Sequence, residues 1–114
     1  MKKILFALFL LPSISFANLY SCTGAGFNID IQANPMEMKV VGNGINAFVP
    51  NVKLSATFDT VFMGNSQTPA ATIKVIIKDS SYANPGDSFK GSITFSSAAG
   101  IKDYAGLTCL RGND

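Results

Sequence analysis

The chain has 114 residues, of which 47% are hydrophobic and only 14% charged, with a formal charge of +2 and neither histidine nor tryptophan. That length supports one domain with a single small core, and so few charges argue against a disordered tail or a polybasic nucleic-acid binder. Without histidine there is no Ser-His or Cys-His catalytic pair, and the commonest transition-metal ligand is missing.

The chain opens on a basic Met1-Lys2-Lys3, followed by an unbroken apolar run over residues 4–11. Pro12 interrupts it, and Ser15-Phe16-Ala17 then places small residues at the −3 and −1 positions of a cleavage site. These three parts predict a secretory signal peptide over residues 1–17 and a single mature domain over 18–114. The apolar run is shorter than the roughly 20 residues of a transmembrane helix, and nothing after residue 17 reads as a transmembrane segment. The brief leader and its twin lysines point to a bacterial protein that is periplasmic or extracellular.

A lipid anchor at Cys22 is the alternative processing, because Leu19-Tyr20-Ser21-Cys22 loosely resembles a lipoprotein box. Tyr20 is bulky where that box takes a small residue, and Cys22 lies well beyond the apolar run, so cleavage after Ala17 is the favoured reading. Loss of Lys2 and Lys3 leaves seven basic against seven acidic residues, a net charge of zero.

Cys22 and Cys109, the only two cysteines, stand near the two ends of the mature chain. An even count in an exported chain predicts a disulfide rather than free thiols. There is no Cys-x-x-Cys motif to suggest redox or metal work.

Between the cysteines, apolar and polar residues alternate with a period of two. The apolar phases are Phe27, Ile29, Ile31; Met36, Met38, Val40; Val52, Leu54, Ala56, Phe58; Ile73, Val75, Ile77; and Phe89, Ile93, Phe95. These predict five half-buried strands, with a short first strand over 19–22 and a last one over 104–110. Gly24-Ala25-Gly26, Asn34-Pro35, Gly42-Asn43-Gly44, Gly64-Asn65-Ser66, Asn84-Pro85-Gly86 and Ala99-Gly100 read as turns. The residues around Gly42-Asn43-Gly44 form the strongest hairpin signal. The fold class is therefore all-β, a small antiparallel β-sandwich or β-barrel closed by one disulfide.

Two segments break the alternation. Val75-Ile76-Ile77 and Val61-Phe62-Met63 are apolar on both faces, which predicts either a strand covered on both sides and a change of phase by a bulge near Asp59-Thr60, or an apolar surface that a partner covers. On the second reading, Val61 and Ile76 are candidate contact residues.

The longest irregular stretch is 79–88. Its Asp79, Ser81, Asn84 and Asp87 supply oxygen donors of the kind calcium uses, but in no recognisable calcium-loop order, so no metal is expected. A loop of this length is a recognition candidate, with Tyr82 as an amphipathic contact residue. The seven carboxylates of residues 18–114 show no spacing that selects a catalytic pair. The basic residues are scattered and form no nucleic-acid stripe.

Tyr20-Ser21-Cys22, a β-rich middle and a cysteine near the end resemble the periplasmic C-type lysozyme inhibitors, which implies a small β-barrel and an inhibitory role. That family's Ser-Gly-x-x-Tyr loop is missing, and the nearest approach, Gly100-Ile101-Lys102-Asp103-Tyr104, is differently spaced and lies later in the chain.

These observations lead to an exported, non-enzymatic binding or inhibitor module that needs no cofactor and acts on a protein or a cell-envelope component. The rivals are a lysozyme inhibitor-like protein, an enzyme using paired carboxylates, and a structural or assembly subunit of the envelope. The intact mass of the exported protein is expected to match an unlipidated chain beginning at Asn18 with two fewer hydrogen atoms for one disulfide. A mass carrying acyl chains on Cys22 would contradict it.

Overall fold

The computed structural model describes residues 18–112, so the signal-peptide reading of residues 1–17 lies outside the described residues. The described chain is all strand and turn, without helix. The strands are β1 (Asn18–Gly24), β2 (Phe27–Gln32), β3 (Glu37–Gly42), β4 (Ile45–Val49), β5 (Lys53–Ala56), β6 (Thr60–Gln67), β7 (Ala70–Ile77), β8 (Ser88–Ser97) and β9 (Gly100–Arg111). They form one antiparallel nine-stranded sheet in the order β4-β3-β2-β1-β9-β8-β7-β6-β5. Strands consecutive in the chain pair throughout, save that β4 and β5, at the two free edges, do not pair with each other. The sheet curls into a half-barrel that brings β4 against β6.

The alternation explains which face is concave. In β2, Phe27, Ile29 and Ile31 are buried while Asn28, Asp30 and Gln32 are exposed. The same in-and-out pattern buries Met38 and Val40 of β3, Ala47 and Val49 of β4, Ile73, Val75 and Ile77 of β7, Ile93 and Phe95 of β8, and Leu107 of β9. These side chains fill the inside of the curl as one cluster, and their removal from water is the main force holding the sheet closed. Aromatic rings cap the cluster at two places. Phe27, Phe95 and Tyr104 meet with ring centroids 5.0–6.0 Å apart, and Tyr20 meets Phe62 and Phe89 at 5.8 and 6.4 Å.

Cys22 of β1 and Cys109 of β9 stand directly opposite one another in the ladder and form the expected disulfide, fully buried in the middle of the sheet. Gly91 of β8 makes room for it. A Cβ there would lie 3.0 Å from Cys109 Sγ and 2.9 Å from the Ile76 carbonyl oxygen. Beside this point the β8–β9 register shifts, with Gly91 opposite Leu107 and Ser92 opposite Ala105, so that Gly106 bulges out.

Three expectations need correction. First, Gly64-Asn65-Ser66 is not a turn: it lies inside β6, and the reversal comes later, at the cis Thr68-Pro69 bond, where the Ser66 hydroxyl donates to the Pro69 carbonyl. The glycine serves a close approach instead. Its missing Cβ would lie 2.5 Å from Val49 Cγ1, so the end of β4 can press onto β6 only at a residue without a side chain.

Second, the apolar phase of 52–58 does not line the core. Only Val52 is buried. Leu54 stands opposite Phe62, in the correct phase, yet is 48% exposed because β5 is an edge with no strand beyond it. Phe58, 70% exposed, belongs to the turn between β5 and β6. Third, the same turn accounts for Asp59-Thr60. No bulge occurs there, the β5–β6 register is even, and β6 simply points Phe62 inward and Val61 and Met63 outward.

Two stability measurements follow. Replacing both cysteines by alanine should cost about 4–5 kcal/mol in urea unfolding, since the bond closes a loop of 87 residues' separation. Gly64→Ala should cost about 1–3 kcal/mol by overpacking, and clearly less in a Val49→Ala background. A cost independent of residue 49 would show that the β4–β6 contact is not where the strain arises.

Candidate functional site

Loop 78–87, which joins β7 to β8, carries five of the residues singled out above, and both of its ends are tied down. At its start, the Ser80 hydroxyl is buried beside Thr60. It accepts the Thr60 N–H at 3.2 Å, lies 2.6 Å from Thr60 Oγ1 and 2.8 Å from the Ile77 carbonyl, and so links the loop to the first residue of β6. The Asp79 N–H donates to Asp59 Oδ1 at 2.9 Å.

At the loop's end, the Asn84 N–H donates to Asp87 Oδ2 and the Asp87 N–H to the Asn84 carbonyl, closing a tight turn over Pro85-Gly86. Gly86 and Asp87 then exchange backbone hydrogen bonds of 2.8 Å with Arg111 at the end of β9. The Arg111 guanidinium in turn reaches the Leu19 and Gly112 carbonyls and lies 5.6 Å above the Tyr20 ring.

Between these anchors Tyr82 projects into solvent, 93% exposed, with Ser81 exposed beside it. The carboxylates of Asp59 and Asp87 are already acceptors for backbone N–H groups. Among the described residues, no three His, Cys, Asp or Glu side chains are grouped to hold a metal ion.

Val61 and Ile76 lie elsewhere, on the outward face of the sheet, where they are direct cross-strand partners. Register extends them into rows. Val61 and Ile76 continue through Ser92 to Ala105. The next row runs Met63, Lys74, Thr94, Asp103, and the third Asn65, Thr72, Ser96, Ile101. The Thr94 hydroxyl donates to Asp103 Oδ1 at 2.7 Å, and that of Thr72 to Asn65 Oδ1 at 2.8 Å.

Together the rows line a shallow concavity of about 530 Å³, with Lys74 and Thr94 in the middle row, Met63, Ile76, Ile101 and Ala105 as apolar lining towards the margins, and Tyr104 also contributing. Val61 borders it through Ile76. Tyr82 makes no hydrogen bond or ring contact that joins it to this face.

The structure thus divides the predicted contact residues into two groups, a loop and a sheet face. Met63 belongs to the Val61-Phe62-Met63 segment already noted, whereas Lys74, Thr94, Ile101 and Asp103 carried no contact signal of their own in the sequence. They share only the outward phase of their strands, and register is what assembles that phase into a surface. The segment Gly100-Ile101-Lys102-Asp103-Tyr104 forms the start of β9 rather than a loop, and Tyr104 is half-buried against Phe27 and Phe95.

Fold and site define an all-β domain held by one disulfide between its first and last strands, with a neutral, mixed apolar and hydroxyl face. No protein-family model, no curated protein and no solved structure matches the chain.

Ser80→Ala would leave the buried Thr60 N–H without its acceptor, at a cost of about 1–3 kcal/mol. The local signature should be faster amide exchange at Asp79 and Thr60, with the exchange of β2 and β3 amides unchanged. Equal acceleration throughout the sheet would mean that Ser80 supports the whole fold rather than the loop.

Proposed function

We propose that this chain is an exported, non-enzymatic binding module that docks a protein partner through the outward face of β6–β9. One observation carries the reading: Ile76, Met63 and Ile101 line the same concavity as Lys74, Asp103 and four hydroxyl side chains, a mixture of apolar and polar groups of the kind found at protein interfaces. Export is supported by the disulfide, which belongs to oxidising compartments. Among the described residues no helix is long and apolar enough to cross a membrane.

The non-enzymatic reading draws on the side chains at hand. The chain has no histidine, and both cysteines are joined to each other. Asp59, Asp87 and Asp103 serve as hydrogen-bond acceptors within the fold. A neutral module lacks a long-range field to steer a charged partner, so recognition rests on shape and short-range contact.

The test is site-specific photo-crosslinking in the exporting cell. A benzophenone side chain at Met63, which is 41% exposed, should give one discrete adduct of defined mass. The same group at Thr108, outside the concavity, should not. Ile76→Lys, which puts a charge on the apolar neighbour of Met63, should lower the Met63 adduct at least tenfold, the scale of an energetically dominant contact residue, while circular dichroism stays unchanged. Adducts of equal yield from both positions, or none from Met63, would defeat the proposal.

A further inference from the structure

The two free edges of the sheet differ in kind. β5 is short, carries Lys53 and is exposed along its whole length, which are the usual protections of an edge against pairing. β4 is also short, at five residues, but lacks the charge and the full exposure. Its sequence, Ile45-Asn46-Ala47-Phe48-Val49, is uncharged, and Ala47 and Val49 are anchored in the core.

The hydrogen bonds of β4 can be assigned from its turn. Asn43 and Gly44 both have positive φ, 51° and 79°, between the paired residues Gly42 and Ile45. That is the signature of a type I′ hairpin, in which the flanking pair is hydrogen-bonded. Antiparallel pairs alternate, so Val40–Ala47 and Met38–Val49 are hydrogen-bonded as well. Asn46 and Phe48 therefore turn their N–H and C=O groups away from β3.

Those same two residues, with Pro50, form one wall of a cleft of about 370 Å³, and Gln67 and Thr68 at the end of β6 form the other. Among the described residues no backbone hydrogen bond spans it, since β4 and β5 are the ends of the sheet. Two donors and two acceptors of the main chain thus face an uncharged cleft. Phe48 is 53% exposed at its margin.

We propose that the free edge of β4 is a strand-addition site for an uncharged, extended peptide segment of a partner protein, held by four main-chain hydrogen bonds to Asn46 and Phe48. The exposed pattern of donors and acceptors selects an extended backbone, because only a strand repeats its groups at the spacing of residues two apart. Pro50, next in the same phase, has no N–H, which ends the edge and limits the added segment to about three paired residues. The lining of two amides, one hydroxyl, a proline and a phenyl ring has no charge to meet a charged side chain. The site is separate from the β6–β9 face and does not depend on it.

The probe is the pentapeptide acetyl-Thr-Val-Thr-Val-Thr-amide, titrated into the exported protein and followed by amide NMR and hydrogen exchange. The amides of Asn46 and Phe48 should shift and become protected as peptide is added, while Ile76→Lys binds it unchanged. The same peptide N-methylated at every residue should bind at least tenfold more weakly. Phe48→Pro removes one edge donor and leaves the β3–β4 bonds in place, so it should also weaken binding at least tenfold, and Phe48→Ala less than threefold.

Three results would overturn the proposal. One is no change at Asn46 and Phe48 up to the solubility of the peptide. Another is equal binding of the N-methylated peptide. The third is protection of these amides without peptide that grows with protein concentration, which would give the edge to a second copy of the chain.

Discussion

The pairing of β1 with β9 is the constraint on which the rest of the structure depends. These are the first and last strands of the described chain, and they meet in the centre of the sheet rather than at its margin. On one side lie β2–β4 and on the other β8–β5, each a simple meander whose contacts are local. Tyr20 opposite Arg111, Ser21 opposite Leu110, Cys22 opposite Cys109 and Thr23 opposite Thr108 are the rungs that make the two meanders one sheet. Bringing those residues together closes nearly the whole chain into a loop, an entropic cost that local hairpin contacts do not offset. The disulfide removes that cost from folding, because the cross-linked chain is already closed when unfolded. The loop of 78–87 hangs on the same seam, because Gly86 and Asp87 bind the backbone of Arg111.

Central closure also decides where the open edges fall. With the chain ends joined in the middle, the break in the ladder moves to β4 and β5, strands that are neighbours in sequence and lie at opposite margins. The short link 50–52 therefore has to carry the chain from one margin to the other. It can do so because the curl already brings β4 against β6, with Val49 lodged over Gly64 and the Val52 N–H bonded to the Met36 carbonyl at 3.0 Å. A Cβ at position 64 would lie 2.5 Å from Val49 Cγ1, so the close approach of this margin depends on the missing side chain on β6.

Much of this was legible in the sequence, and the parts that were not share a cause. The inward residues of β2, β3, β7, β8 and β9 could be read from period-two alternation because each of those strands has a neighbour on both sides. The rule fails at β5, where Leu54 keeps its phase but has nothing to cover it, and at Phe58, where the chain turns. Alternation reports which way a side chain points, and topology reports whether anything is there to meet it. Gly64 was misread for a related reason: a glycine that frees the backbone to turn and one that admits a neighbour's side chain look identical in one dimension. Val61 and Ile76 could be flagged because they are apolar in an outward phase. Lys74, Thr94 and Asp103 could not, since each is unremarkable alone and gains meaning only from the strand beside it.

The same dependence on register separates the two candidate surfaces. The β6–β9 face takes side chains from four strands, and a one-residue slip of any strand would turn its contribution inward. Its specificity is therefore only as good as the β7–β8–β9 ladder, which is the most extensively paired part of the sheet and is backed by the buried disulfide beneath Gly91. The β4 edge asks less of side chains and more of the backbone, and its four groups are oriented by a single tight turn at Asn43-Gly44. The two proposed surfaces therefore rely on different contacts, shape on the rigid half of the sheet and main-chain pairing at its margin. Each stands where the fold gives it support, the face over the best-closed strands and the edge where the ladder ends.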